Sequence, residues 1–470
     1  MAGYFEIGET KVRPGSYFNI GNNGDTSTAD VVNGVSAVTV KADYGPLGKV
    51  IRVTKDENYK DIFGDGGTTE AIGQMFKGGA KEVLAVRLGS GGTDPSVTLK
   101  GGDEGADNVV TIMSRYVGTK PFSVTIKPKL TDNTVKQAIF YTGTAEFDTV
   151  EFQAGTGEVD ALVAALSGND HFSAVAGTGM GTKVISAVTQ AVFTGGADPT
   201  TTVDSYSTGF TLLEPYQFNT ICVDTEDTAV HSLLLAFLNR IFENGNLAIG
   251  TVAEETTVAL ETRMAHAAAF NDEKMVYVLN ASIYEGETNI TGYKVAARIA
   301  GLISAISSRI SLTHYSLQGI GDIGEGLSNS NIITALKSGC LVISRDSNNL
   351  PWIEQGINTL VNPPADRDSG WKKIRRTKTR FELLRRANAA TDALVGKVDN
   401  DKNGRSTIVS AIFGVGNDMI GEGKITKINV YENPQKTSDG DSCWFIIDVI
   451  DKDSAEHIYS NYNFQFSVNE

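Results

Sequence analysis

Asp399, Asp401 and Asn403, followed by Gly404, stand at the spacing with which a calcium loop presents its first oxygen ligands and its turn glycine. Such a loop needs a bidentate carboxylate at its twelfth position and an aliphatic residue at its eighth. Here those positions hold Ser410 and Ser406. The stretch therefore reads as a polar loop capping a helix that begins near Ser406. Nucleotide chemistry fares no better. "GEGKI" at Gly421 to Ile425 lacks both the leading glycine and the Ser/Thr of a phosphate-binding loop. "GTGMG" at Gly177 to Gly181 follows no clear strand and misses the third glycine of a dinucleotide fingerprint. Neither GxSxG nor HExxH occurs, and His171, His231, His266, His314 and His457 are too scattered to share a metal. The sequence predicts no catalytic residue, no metal site, no cofactor and no enzymatic activity.

One stretch does concentrate chemistry, of a recognition kind. "WKKIRRTKTRFELLRR", Trp371 to Arg386, sets eight basic residues against the single acid Glu382. The chain has a formal net charge of −15; with this segment at +7, the remainder carries −22. As a helix, the segment aligns Ile374, Thr377, Phe381, Leu384 and Asn388 on one stripe. Lys372, Lys373, Arg375, Arg376, Arg380 and Arg386 spread over the remaining arc, with Lys378 and Arg385 at its border. A solvated helix face is the plain reading. Against it, like charges at i,i+4, such as Lys372 with Arg376, weaken a helix, and a positive face on an acidic body fits an acidic partner. Arg outnumbers Lys five to three, which favours carboxylate or phosphate contacts. The segment reads as a docking surface. The alternative is a nucleic-acid-binding protein using the same helix, which the acidic remainder disfavours.

The elements that must position these residues follow from pattern. At 470 residues the chain is long enough for about three domains. Cys222, Cys340 and Cys443 lie more than a hundred residues apart, so a disulfide framework is not expected. The N-terminus lacks a signal-peptide core and no window approaches a membrane span, so synthesis in the cytosol without membrane insertion is expected. Residues 1–20 read as an extended arm, and 21–94 as the start of an α/β core. There "GKVIRV", the helix "TTEAIGQMFKGG" with a Thr N-cap, and "EVLAVRL" follow in order. Two near-identical linkers, "GGTDPS" at Gly91 to Ser96 and "GGADPT" at Gly195 to Thr200, bracket an insertion, residues 95–199. Inside it "PFSVTIKPKL" alternates strictly, as a strand does, and "EVDALVAALSGN" has helical spacing. The α/β pattern resumes over 200–361 with "FNTICV", "LAIGTV", "MVYVLN" and "CLVISR", apolar runs suited to a parallel sheet covered on both faces. Residues 362–454 read as an α+β C-terminal domain. Residues 455–470 form a strand-like arm that puts Ile458, Tyr462, Phe464, Phe466 and Val468 on one side. The predicted fold is thus α/β and α+β multidomain. A doubly wound core is interrupted by a β-sandwich or barrel and flanked by arms.

Several stretches, in this order, resemble contractile phage tail sheath proteins of the kind found in the defective Bacillus prophage PBSX. They are "KVRPGSYFNI", "VAARIAGLISAISSRISLTHYSLQGI", "ALKSGCLVI", "WIEQGINTLV" and "GKVDNDKNGR". The last, Gly396 to Arg405, occupies the place of a GKV-x-N-x-x-x-GR loop and accounts for the calcium-like spacing. The resemblance implies a structural subunit that polymerises as stacked rings around an inner tail tube protein, ends on baseplate and tail terminator proteins, and contracts for genome ejection or its bacteriocin-like equivalent. It implies assembly in the bacterial host cytoplasm, residence in a virion tail or tail-like particle, and no direct nucleic-acid contact. By the same resemblance, Lys372, Lys373, Arg375, Arg376, Lys378, Arg380, Arg385 and Arg386 dock the tube. Tyr17, Phe18 and Ile20, with Ile458, Tyr462, Phe464, Phe466 and Val468, exchange strands between subunits.

Overall fold

The computed structural model describes residues 3–4, 17–18, 33–101, 106–365 and 367–464. Two compact units emerge: residues 32–381 with 452–470, and residues 1–31 with 382–451.

The larger unit is built on a seven-stranded sheet. Its order is Cys340–Leu341, Met275–Val278, Ile249–Ala253, Thr220–Cys222, Val35–Val40, Glu82–Arg87 and Val50–Thr54. Its central strands Thr220–Cys222, Ile249–Ala253 and Met275–Val278 are buried throughout, because helices cover both faces. One expectation needs correction. The edge strand Val50–Thr54 runs antiparallel to Glu82–Arg87, so the sheet is mixed. The chain returns from that edge through helices Tyr59–Phe63 and Glu70–Gly78. Thr69 precedes the second of these, but its hydroxyl turns back to the Gly64 and Gly66 carbonyls and makes no side-chain cap.

The family-like run Val295 to Ile320 is core in its first part, up to Ile306. Helix Tyr293–Ala305 is buried almost all round and lies against Glu70–Gly78. The approach is close enough that a Cβ on Gly301 would sit 2.1 Å from the Met75 carbonyl oxygen, and one on Gly78 2.2 Å from that of Arg298. Only glycine fits at this crossing.

Residues 96–192 form two antiparallel sheets around one apolar core. One has the order Ala145–Gln153, Asp132–Thr142, Phe122–Lys129, Val188–Val192; the other Phe172–Ala176, Asp107–Ser114, Ser96–Gly101. The alternation of "PFSVTIKPKL" is realised, with Phe122, Val124 and Ile126 buried, but Leu130 sits fully exposed at the hairpin tip. The two Gly-Gly-Asp-Pro linkers pair with each other, Ser90 with Thr200 and Thr93 with Ala197. The linkage is reinforced by Tyr44, whose ring packs against Tyr116, Phe122 and Phe147 and whose hydroxyl meets His171 Nδ1 at 2.9 Å. Lys120 Nζ, over the Tyr44, Phe122 and Phe147 rings, donates to the Lys60 carbonyl.

In the smaller unit, helix Lys402–Gly421 packs on the hairpin Ile425–Glu432 and Phe445–Asp451, with Ile412, Val415, Met419, Ile425, Ile428 and Val430 at its core. The helix begins at Lys402, four residues before the sequence expectation, because Asp401 caps it by accepting from Gly404 N at 2.7 Å. The backbone of Gly3–Tyr4 pairs in parallel with Tyr17–Phe18. Ile20, Phe466 and Val468 lie outside the described residues.

Candidate functional site: the basic helix and the C-terminal segment

The basic stretch forms a 3₁₀ turn, Ser369–Lys372, followed by helix Ile374–Asp392. Ile374, Thr377 and Phe381 are buried as the stripe requires. Leu384 and Asn388 are exposed instead, and Leu383 and Ala387 enter the core of the smaller unit. The buried stripe shifts by one residue after Phe381.

The cations are placed differently from a solvated face. None of the eight is more than half exposed, and Arg375 is buried at 8%. Lys373 Nζ meets Asp453 Oδ2 at 2.7 Å and Glu456 Oε2 at 3.4 Å. Arg376 forks onto Asp368 at 2.8 and 3.3 Å, holding that carboxyl below the usual carboxylate range. Lys378 Nζ donates to the Ile303 and Ile306 carbonyls at the C-terminal end of the central helix, where a cation complements the helix dipole. Arg380 pairs with Glu273 and lies over the Trp371 ring, 3.9 Å from its centroid. In the smaller unit Arg386 joins Glu382 at 2.5 Å and Glu422 at 2.7 Å, and Lys424 joins the same two acids. Burial pushes the Arg385 guanidinium down to about 10, still charged at neutral pH. Lys372 makes no ion pair among the described residues.

The acidic partners come from positions up to 107 residues away, which no local pattern reveals. A segment that looks like a free positive face is, in its own chain, largely neutralised.

The C-terminal segment behaves in the opposite way. From Lys452 to Phe464 it has no helix and no strand. Within it Glu456 is the most fully held: Oε1 accepts from Ser311 at 3.2 Å, Thr313 at 3.0 Å and Ser454 at 2.9 Å, and Oε2 from Gln355 at 3.0 Å. Burial alone would raise its pKa. Hydrogen bonds from Gln355 and Ser454, the Lys373 charge and Thr313 outweigh burial and hold the carboxyl below its usual range. Past it, Ile458, Tyr459, Tyr462 and Phe464 are 81%, 93%, 77% and 87% exposed. Four large apolar or aromatic residues thus lie exposed within seven positions, the kind of surface that marks an interaction site.

The "GKVDNDKNGR" loop also acquires a mechanical meaning. Asn400 Nδ2 donates to the carbonyls of Gly440 and Ser442, and Arg405 bridges the Asn400 carbonyl to Glu432. A Cβ on Gly404 would meet the Asp399 carbonyl oxygen at 1.9 Å. The loop thus ties the helix to its hairpin. Among the described residues no group of three His, Cys, Asp or Glu is placed to hold a metal, and no helix is long and apolar enough to cross a membrane.

Comparison with known proteins shows what the chain as a whole is similar to. Residues 200–359 match the phage tail sheath protein central domain. The likeness extends beyond that domain. The phage-like element PBSX protein XkdK of Bacillus subtilis (strain 168) is 22% identical over 484 residues, covering 98% of each chain. The tail sheath protein of Bacillus phage SP01 is 23% identical and covers 88% of each. In fold, a sheath tail protein from Desulfitobacterium hafniense superposes with a TM-score of 0.71 at 20% identity, over 93% of this chain and all of the other. The anti-feeding prophage helical sheath in its contracted state gives 0.55 at 11% identity, over 97% and 99%. The resemblance read from the sequence to phage tail sheath proteins holds along the chain. The phage tail sheath protein family is structural and not enzymatic.

Proposed function

We propose that the chain is a contractile tail sheath subunit that polymerises as stacked rings around an inner tail tube and shortens to drive the tube through a target envelope. Baseplate and terminator proteins bound its two ends. The coarse part of this reading, a phage tail sheath subunit of a virion tail or tail-like particle, rests on the family match and the sheath relatives. The finer part rests on one observation: the exposed, unpaired, alternating segment from Ile458 to Phe464. The hairpin Ile425–Glu432/Phe445–Asp451 supplies the complementary need. Among the described residues it is a sheet of two strands with Tyr431, Ile447 and Ile450 exposed. Two strands alone are marginal, and open edges invite a third. Strand addition from a second copy joins donor to acceptor through main-chain hydrogen bonds, which tolerate rigid-body movement of the subunits. Such a contact is heterologous and generates a helical array when its rotation does not close. The energy for shortening is stored as an assembled state trapped behind a barrier.

Tube docking by the basic helix belongs to the same proposal in a narrower form. Most of its cations have partners in their own chain, so contact with a tube falls first to Lys372. The rest act through exchange of partners. Negative-stain electron microscopy of the purified protein tests the assembly reading. Long tubes of uniform diameter are expected, and particles that stay monomeric at every concentration count against it.

A further inference from the structure

Glu456 sits in a segment without secondary structure, between exposed Ala455 and exposed His457, yet its side chain is only 5% exposed. Removing a carboxylate from water is costly unless its oxygens are well satisfied. Here they are. Ser311 and Thr313 approach from the stretch after the central helix, Gln355 from beyond the strand Pro351–Ile353, and Lys373 from just ahead of the basic helix. Lys373 also holds Asp453, so the chain is pinned twice within four residues. Immediately afterwards every described residue is exposed, and the next large apolar residues are in solvent. The boundary between held and free chain is thus set by one side chain.

We infer that Glu456 is the positioning residue of the C-terminal arm: it roots the arm on the core unit so that the residues after it are presented to a second copy of this chain from a fixed point. The inference rests on the arm-exchange reading above and assigns that arm its pivot. A fixed root raises the effective concentration of the arm at its acceptor, whereas a loose root dilutes it over a larger volume. The same clamp gives the arm a place to turn about when subunits move, without tearing the chain from its core.

The test uses the full chain with three variants: Glu456→Ala, Glu456→Gln and a deletion of residues 457–470. Two quantities are read. One is the rate of tryptic cleavage after exposed Lys452 in unpolymerised protein; the other is the critical concentration for tubes, measured by sedimentation. A melting temperature close to that of the parent certifies folding. In Glu456→Ala both the cleavage rate and the critical concentration are expected to rise about tenfold, the effect of losing about 1.4 kcal/mol. Glu456→Gln, which keeps the shape and can still accept from Ser311 and Thr313, should fall between. Unchanged cleavage shows that there is no clamp and overturns the inference. Faster cleavage with an unchanged critical concentration shows that the clamp does not position the arm, and overturns it too. The deletion reads the underlying proposal separately. Normal polymerisation without residues 457–470 removes arm exchange and the inference together, whereas a block there beside a normal Glu456→Ala removes the inference alone.

Discussion

Lys373 and Glu456 meet at 3.4 Å, joining the start of the basic helix to the root of the C-terminal segment. The two features the sequence marks for different partners, a cationic face and a strand-like arm, are therefore linked within one chain. A carboxylate that drew Lys373 away would loosen the arm.

Charge reversal separates the cations that hold the fold from those that remain available. Arg380→Glu places a carboxylate beside Glu273 and under Trp371, and breaking such a partly buried pair costs about 3–5 kcal/mol. Its melting temperature should fall sharply. Reversing Arg375, Arg376 and Arg380 together should therefore destabilise the subunit before it reports on docking. Lys372→Glu should leave melting unchanged and weaken co-sedimentation with tube protein; normal co-sedimentation would remove the docking role.

Acid should loosen the structure in a defined direction. Glu456, Asp368, Glu285 and Glu422 are all held below their usual range. For Asp368 the first cause is the Arg376 hydrogen bond. For the three glutamates burial pushes upward and is outweighed by partners, led by Gln355 for Glu456, Lys77 for Glu285 and Arg386 for Glu422. A depressed pKa contributes stability that is present above the unfolded value of ~4 and is lost as pH falls through the folded one. Melting temperature followed by calorimetry should be flat from neutral pH to ~5 and decline below it. Glu456→Gln should show a smaller decline than the parent.

Gly301→Ala tests the helix crossing at the heart of the family-like run. The added Cβ meets the Met75 carbonyl oxygen at 2.1 Å, so the helices must separate. Overpacking of this kind costs about 1–3 kcal/mol, read as a lower urea midpoint.

Much of the core was legible in the sequence for the reason that makes cores legible in general: periodicity reports burial. "LAIGTV" and "MVYVLN" could only be covered strands, and the 3.6-residue repeat of "KVAARIAGLISAIS" could only be a packed helix. The antiparallel turn of Val50–Thr54 was not legible, because strand direction depends on the connection and leaves no mark on alternation. The basic helix misled for a related reason. Its acidic partners Glu273, Asp368, Glu422, Asp453 and Glu456 are brought up by the fold, so charge density alone could not separate a free face from a satisfied one. Leu384, read as part of the apolar stripe, is exposed because Leu383 takes the core position one residue earlier.

The proposed assembly depends on the exposed carboxyl-terminal stretch being lent from one molecule to the next. Removing residues 455–470 and imaging the product beside the full chain tests this most directly. The prediction is a folded monomer with near-parental melting and no tubes at any concentration. Tubes of the same diameter, formed at the same concentration as with the intact chain, would contradict it.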